Sequence, residues 1–186
     1  VMAVTNPDEE SRHKRASMII VPTNTPGFEI VRNIPIMGDV GKGFFSHGEV
    51  QYTNVRVPKG NIIQTPGDGF RLAQERLGPG RIHHCMRSIG QAEKALELMV
   101  KRAGSREAFG KPILKLGKNL EIISRARIEI DAMRLMVLQA AKAMDVLGNR
   151  EARVYVSAVK AMVPEKVCLI IDQAMQMHGA MGISHW

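Results

Sequence analysis

The chain has 186 residues and carries 26 Lys and Arg against 18 Asp and Glu, a net charge of +8 with a pI near 9.8. With 45% hydrophobic, 24% charged and only 4% aromatic residues, it is neither a disordered nor a fibrous sequence. Its basic residues are dispersed, with neither an aromatic RNA-binding motif nor zinc-finger spacing, so nucleic acid is a weak reading, and the charge speaks to solubility and to anionic partners in general, a phosphate-rich small ligand fitting equally well. The cysteines Cys85 and Cys168 cannot form a disulfide framework and favour a reducing compartment. No apolar run approaches the ~20 residues of a transmembrane segment, and no targeting signal is visible. Twelve methionines and few aromatics suit a helical core.

The first ~65 residues read as extended. Val1–Thr5 and Ser17–Val21 are short β-prone runs on either side of the charged stretch Pro7–Arg15. A turn at Asn24–Gly27 precedes a further extended run, Phe28–Ile34. Residues 49–58 alternate, with Val50, Tyr52, Val55 and Val57 as the apolar members, and the phase slips at Thr53-Asn54, where a bulge is expected. Glycines and prolines punctuate the whole segment, which predicts part of an antiparallel sheet domain over residues 1–64.

The cluster Thr65-Pro66-Gly67-Asp68-Gly69 is linker-like, and three helical patterns follow it. The first spans about Phe70 to Ala103, with Met86, Ile89, Leu96 and Met99 on one stripe. The second spans about Leu116 to Leu147 through Leu120, Ile123, Ile130, Met133, Val137 and Met144. The third spans about Arg150 to His178 through Val156, Val159, Val163, Val167, Ile170, Ala174 and Met177. These spacings repeat one face of a 3.6-residue period. Gly78 and Pro79 should loosen or bend the first helix, Pro164 should kink or break the third, and Gly179 is a natural C-cap. The expected fold is α+β: a partial antiparallel β-domain, then an antiparallel helical bundle over residues 65–186.

Three segments, taken together, resemble the acyl-CoA dehydrogenase family. Tyr52-Thr53-Asn54-Val55-Arg56-Val57-Pro58-Lys59-Gly60-Asn61-Ile62-Ile63, followed by Gly67-Asp68-Gly69-Phe70, is similar to the family's join between β-domain and helices. Arg106-Glu107-Ala108-Phe109-Gly110-Lys111-Pro112-Ile113 resembles its Arg-x-x-Phe-Gly-x-Pro turn between two helices. Gln176-Met177-His178-Gly179-Ala180-Met181-Gly182 resembles its Gln-x-x-Gly-Gly-x-Gly segment, with Ala180 where a second Gly is usual. The run from Arg76 to Arg87 is closest to the subgroup that in animals includes members ten and eleven.

The resemblance implies oxidation of an acyl-CoA thioester between Cα and Cβ with FAD as cofactor. It implies that Arg106 and Phe109, together with Gln176, Met177, His178, Gly179 and Ala180, contact FAD, Arg106 reaching the cofactor of a neighbouring subunit. Gly78, Pro79, Gly80 and Arg81 match the substrate-facing segment. Leu116-Gly117 stand where the family usually has an aromatic or His followed by Gln. No catalytic residue is assigned. The usual carboxylate falls some two dozen residues past the third segment, beyond Trp186, and a minority of the family places Glu where this chain has Gly80. Glu75, five residues earlier, reads as a solvated acid at a helix start, so the 186 residues alone are expected to be inactive. His83, His84 and Cys85 point in different directions around a helix and do not make a metal site. The resemblance further implies a homo-oligomer (dimer or tetramer), either an electron-transfer flavoprotein or oxygen as electron acceptor, and a mitochondrial or peroxisomal setting. The competing reading is a helical oligomerisation module without chemistry.

Overall fold

A computed structural model describes residues 1–42 and 46–184. The chain divides into two units, Val1–Gln74 and Glu75–Trp186. In the first, β1 (Met2–Val4) pairs antiparallel with β2 (Ala16–Met18), and β3 (Phe28–Ile34) with β4 (His47–Tyr52). The two long runs find each other through Phe28 and Tyr52, whose rings meet edge to face with centroids 5.3 Å apart. The irregularity expected at Thr53-Asn54 lies elsewhere. β4 ends at Tyr52, Asn54 turns with φ 51°, and the register shifts between Ile30 and Arg32 on the opposite strand, where Val31 is the extra residue. Val50 and Tyr52 remain 44% and 43% exposed, because a two-stranded ribbon has no second layer to cover its apolar members.

Two polar side chains tie this unit together. The fully buried Ser17 hydroxyl lies 2.6 Å from Thr5 Oγ1 and accepts a hydrogen bond from the Gly67 N–H at 2.9 Å. One hydroxyl thereby joins β1, β2 and the turn that precedes the helices. Asn61 donates from its amide to the Ile20 carbonyl at 2.9 Å, and backbone bonds from Ile20 to Asn61 and from Ile63 to Met18 lay the Asn61–Ile63 segment beside β2.

Three long helices follow: α1 (Gly69–Ser105), α2 (Asn119–Glu151) and α3 (Arg153–His178). From α1, Ile89 and Met99 are buried; from α2, Ile130, Met133 and Val137; from α3, Val159, Val163 and Ile170. All belong to one cluster. Two expectations are corrected. Leu120, counted in the α2 stripe, is 60% exposed because it is the second residue of the helix, ahead of the packed region. The buried face is completed by Ala126, Ala140 and Ala143, whose small side chains let the helices approach. Pro164 does not break α3, which runs unbroken through it. The carbonyl that loses its donor belongs to Lys160, an exposed residue, where water can replace the missing bond. α1 likewise runs through Gly78 and Pro79.

Contacts give the helix directions. α1 meets α3 at Cys85 and Val159, and again where Ala95 and Leu98 face Ile171 to His178, so these two run parallel. α1 meets α2 at Glu93 with Arg127 and Arg134, and at Gly78 with Asn149, so α2 runs back. The bundle is up-down-up. Polar pins reinforce it. Glu93 takes a two-pronged bond from Arg127 at 2.8 and 2.9 Å and a further bond from Arg134, while Asp131 braces both guanidinium groups. Lys166 of α3 reaches Glu129 of α2 at 2.9 Å. Among the described residues no helix is long and apolar enough to cross a membrane.

Two outcomes are expected. Met133→Ala removes a fully buried side chain at the centre of the bundle and should cost about 2–5 kcal/mol in urea unfolding. The hydrogen bonds from Arg127, then those from Arg134, pull the Glu93 carboxyl down from 4.5 to about 2. A depressed carboxyl pKa contributes stability above its unfolded value, and that contribution is lost as pH falls from 4.5 toward 2. Thermal unfolding of Glu93→Gln should therefore be less stable than the parent near neutral pH and converge with it in acid.

Candidate functional site

The chain leaves α1 by a tight reversal. The Arg106 N–H still closes a helical bond to the Arg102 carbonyl at 2.9 Å, after which β5 (Glu107–Ala108) turns into β6 (Lys111–Pro112). The two turn residues, Phe109 and Gly110, both have positive φ, 53° and 74°. A right-twisted two-residue hairpin calls for that geometry, and Gly supplies it without strain. Phe does not: a bulky side chain at positive φ is an outlier. The ring is 95% exposed, so burial does not offset the strain. Strained backbone that packing does not explain tends to mark a functional position. Arg106 beside it is exposed, and among the described residues its guanidinium has neither a hydrogen-bond nor an ion-pair partner. One turn earlier, the Nε of Arg102 is buried without a partner among the described residues.

The second predicted element closes α3. Gly179 takes φ 61° and its N–H bonds the Gln176 carbonyl, and the five-residue turn Gly179–Ile183 then folds back on the helix. Gly182 lies so near Met175 that a Cβ would fall 2.3 Å from the Met175 carbonyl oxygen. Gln176, Gly179 and Ala180 are exposed, while Met177 packs onto the core. His178 is half-buried with Nδ1 2.8 Å from the Ala174 carbonyl. A groove of ≈ 310 Å³ runs beside this turn, lined by Ala95, Leu98, Ala174, Met175, His178 and Met181 among others.

Because α1 and α3 are parallel, the Arg106 hairpin and the Gln176–Ala180 turn lie at the same end of the bundle. The structure thus brings the cofactor candidates of two distant sequence segments to one place. It sets the substrate candidates apart from them. Gly78, Pro79, Gly80 and Arg81 sit on α1 at the opposite end, roughly 37–42 Å from Arg106 along the helix at 1.5 Å per residue. Gly78 is buried against Asn149, Pro79 is exposed, and Gly80 and Arg81 are half-buried. Of the His83-His84-Cys85 run, both histidines face outward and Cys85 faces the core, with Sγ 3.7 Å from the Val159 carbonyl and burial pushing its thiol pKa up. Leu116 ends a short turn and Gly117 carries φ 53°. Sequence reading passed over Arg102 and Asn149. The spacing of four to Arg106 could have drawn attention to the first; only tertiary packing reveals the second.

The fold is shared with known proteins. The family described as acyl-CoA dehydrogenase, C-terminal domain, matches residues 67–186, and the chain belongs to that family. It is 48% identical over 184 residues to "Probable acyl-CoA dehydrogenase FadE2" of Mycobacterium tuberculosis, covering 99% of this chain and 44% of that protein. It is also 48% identical over 185 residues to acyl-CoA dehydrogenase family member 10 of Mus musculus, covering 98% of this chain and 17% of that one. A solved Mycobacterium abscessus structure reported in the same enzyme class superposes with a TM-score of 0.90 at 46% identity, over 98% of this chain and 44% of its own. The chain thus spans less than half the length of each of these relatives.

If function rather than folding keeps Phe109 in its strained position, Phe109→Asn should stabilise the chain. Asn tolerates positive φ, and the change should add about 0.5–1 kcal/mol in chemical denaturation. An unchanged or lower stability would mean that the exposed ring contributes to the fold after all.

Proposed function

We propose that the chain is the helical part of a flavin-dependent acyl-CoA dehydrogenase and that its Arg106 end binds FAD held mainly by a neighbouring subunit. FAD is the cofactor of this family. The residues at the Arg106 end suit it: a guanidinium with no partner among the described residues for the pyrophosphate, an exposed aromatic ring beside it, and the exposed amide of Gln176 with open backbone at Gly179 and Ala180. When bound, FAD supplies the acceptor for the hydride that leaves the acyl Cβ. The protein's share is to orient the groups. A planar guanidinium can hold two phosphate oxygens in a fork, and Phe109 presents an apolar face to whatever lies against the hairpin.

The observation that carries this reading is the exposed Arg106, unpaired among the described residues, next to a phenylalanine strained outward. The separation of the two ends supports contribution across subunits. Cofactor and substrate candidates roughly 37–42 Å apart along one helix cannot surround a single reacting centre within one chain, whereas two copies can each lend an end to the other. Exposed Ile128, Leu135, Val146 and Val154, each 68–71% accessible on α2 and α3, favour a homo-oligomer. Arg81 with Pro79 and Gly80 would face the acyl-CoA at the other end. Gly80 has no group that removes a proton, so none of these residues is assigned as the base. An electron-transfer flavoprotein is the acceptor this reading expects.

The test uses the intact enzyme and compares the parent with Arg106→Ala and Arg106→Lys. Each charge-assisted bond to phosphate contributes about 1.5–3 kcal/mol, so Arg106→Ala should weaken FAD binding by at least about tenfold. Arg106→Lys keeps the charge without the fork and should recover only part of it. Flavin fluorescence during dilution reads both affinity and release on dissociation. Unchanged affinity in Arg106→Ala, with FAD retained by monomers, would remove this residue from the site.

A further inference from the structure

Near its start α1 contains a turn with one backbone hydrogen bond fewer than an ordinary helical turn. Pro79 has no N–H to return to the carbonyl four residues earlier, and Gly78 before it adds backbone freedom. Yet the helix runs through both. The support comes from the corner between α2 and α3. There Gly148 is the non-helical residue inside α2, with φ 81° and ψ 167°, a conformation that favours glycine. The kink turns Asn149 onto α1. Its Oδ1 sits 2.0 Å from the point a Cβ on residue 78 would occupy, with Cγ at 2.9 Å and Nδ2 at 3.1 Å. The amide therefore fills the space that glycine leaves, and Gly78 is buried beneath it. One turn further along the same face, Ile82 packs against Ala143, Ala152 and Val156 of that corner. The corner thus grips α1 at residues 78 and 82, with Pro79, Gly80 and Arg81 between the two grips.

We propose that Asn149 is a positioning residue for acyl-CoA: by occupying the notch over Gly78 it fixes the turn that presents Pro79, Gly80 and Arg81 to the substrate. This rests on the reading of that turn as substrate-facing. Asn149 does not touch the substrate; it sets the direction in which Arg81 leaves the helix. A ligand group displaced by even a fraction of an ångström loses contacts made only in the productive pose.

Two substitutions remove the grip by different routes. Asn149→Ala deletes the amide, and Gly78→Ala expels it with a methyl group while leaving Asn149 in place. In the intact, FAD-loaded enzyme both should raise the KM for acyl-CoA about three- to tenfold, the scale of one lost ordinary contact, with a smaller effect on kcat. FAD content and the thermal midpoint should stay at the parent's level. Gly78→Ala in the Asn149→Ala background should add nothing, because both act on the same notch. Arg81→Ala is the reference, read by acyl-CoA binding. If Arg81→Ala weakens acyl-CoA binding while the other two bind like the parent, the positioning role is wrong and the substrate-facing reading stands. If Arg81→Ala leaves binding unchanged, that reading fails and the positioning role goes with it. A KM effect that appears only together with loss of FAD or of thermal stability, or effects that add in the double variant, would reduce Asn149 to a packing residue. Should Asn149→Ala not fold, Gly78→Ala alone decides the outcome by the same measurements.

Discussion

The direction of the three helices is the constraint on which the rest of this structure depends. Two connections of modest length oblige α2 to run back along α1 and α3 to run forward again. The ends of α1 and α3 then coincide in space although some seventy residues separate them in the chain. Nothing in the Arg106 hairpin or the Gln176–Ala180 turn specifies the other. They become neighbours because Met99, Met133 and Val163 and the residues around them pack into one core. The same geometry carries the Gly148 corner to the other end, onto Gly78 and Ile82.

Hydrophobic burial holds the bundle, and polar contacts fix its register. Glu93, Arg127, Arg134 and Asp131 form a linked set rather than separate pairs. Isolated partly exposed ion pairs contribute only about 0–1 kcal/mol, but a two-pronged Arg–carboxylate contact shared between helices also dictates how far one can slide along the other. A slip of one turn would part Arg127 from Glu93 and lift Asn149 off Gly78 together. The charges that pin the middle of the bundle therefore also protect the placement of both ends.

The two ends follow different physical strategies. At the Arg106 end, Phe109 is exposed and strained, and among the described residues the Arg106 guanidinium has no partner. At the Gly78 end, a weak stretch of helix is covered and gripped from outside. One end is left open; the other is held still.

The helices were legible in the sequence because apolar residues at a 3.6-residue period have few other ways to be buried, and the stripe through Val156, Val159, Val163, Val167 and Ile170 is the buried face of α3. The Arg106 and Gln176 turns were equally legible from their motifs. What the sequence could not weigh was context. It counted Leu120 as core, but a residue's burial depends on which neighbours reach it, and Leu120 points away from the face on which Ile122 and Ile123 pack. It allowed Pro164 either to kink or to break α3, and the break is absent because a lost hydrogen bond matters little when the orphaned carbonyl faces water. It placed a bulge at Thr53-Asn54, whereas strand register is decided jointly with the partner, and the extra residue fell at Val31. The sequence by itself thus determined where the helices and the turns at their ends form, since those follow from local periodicity and short motifs. Only the tertiary structure decided which turns share an end of the bundle and that Asn149 lies over Gly78, because such contacts depend on how the helices pack and are written in no single segment.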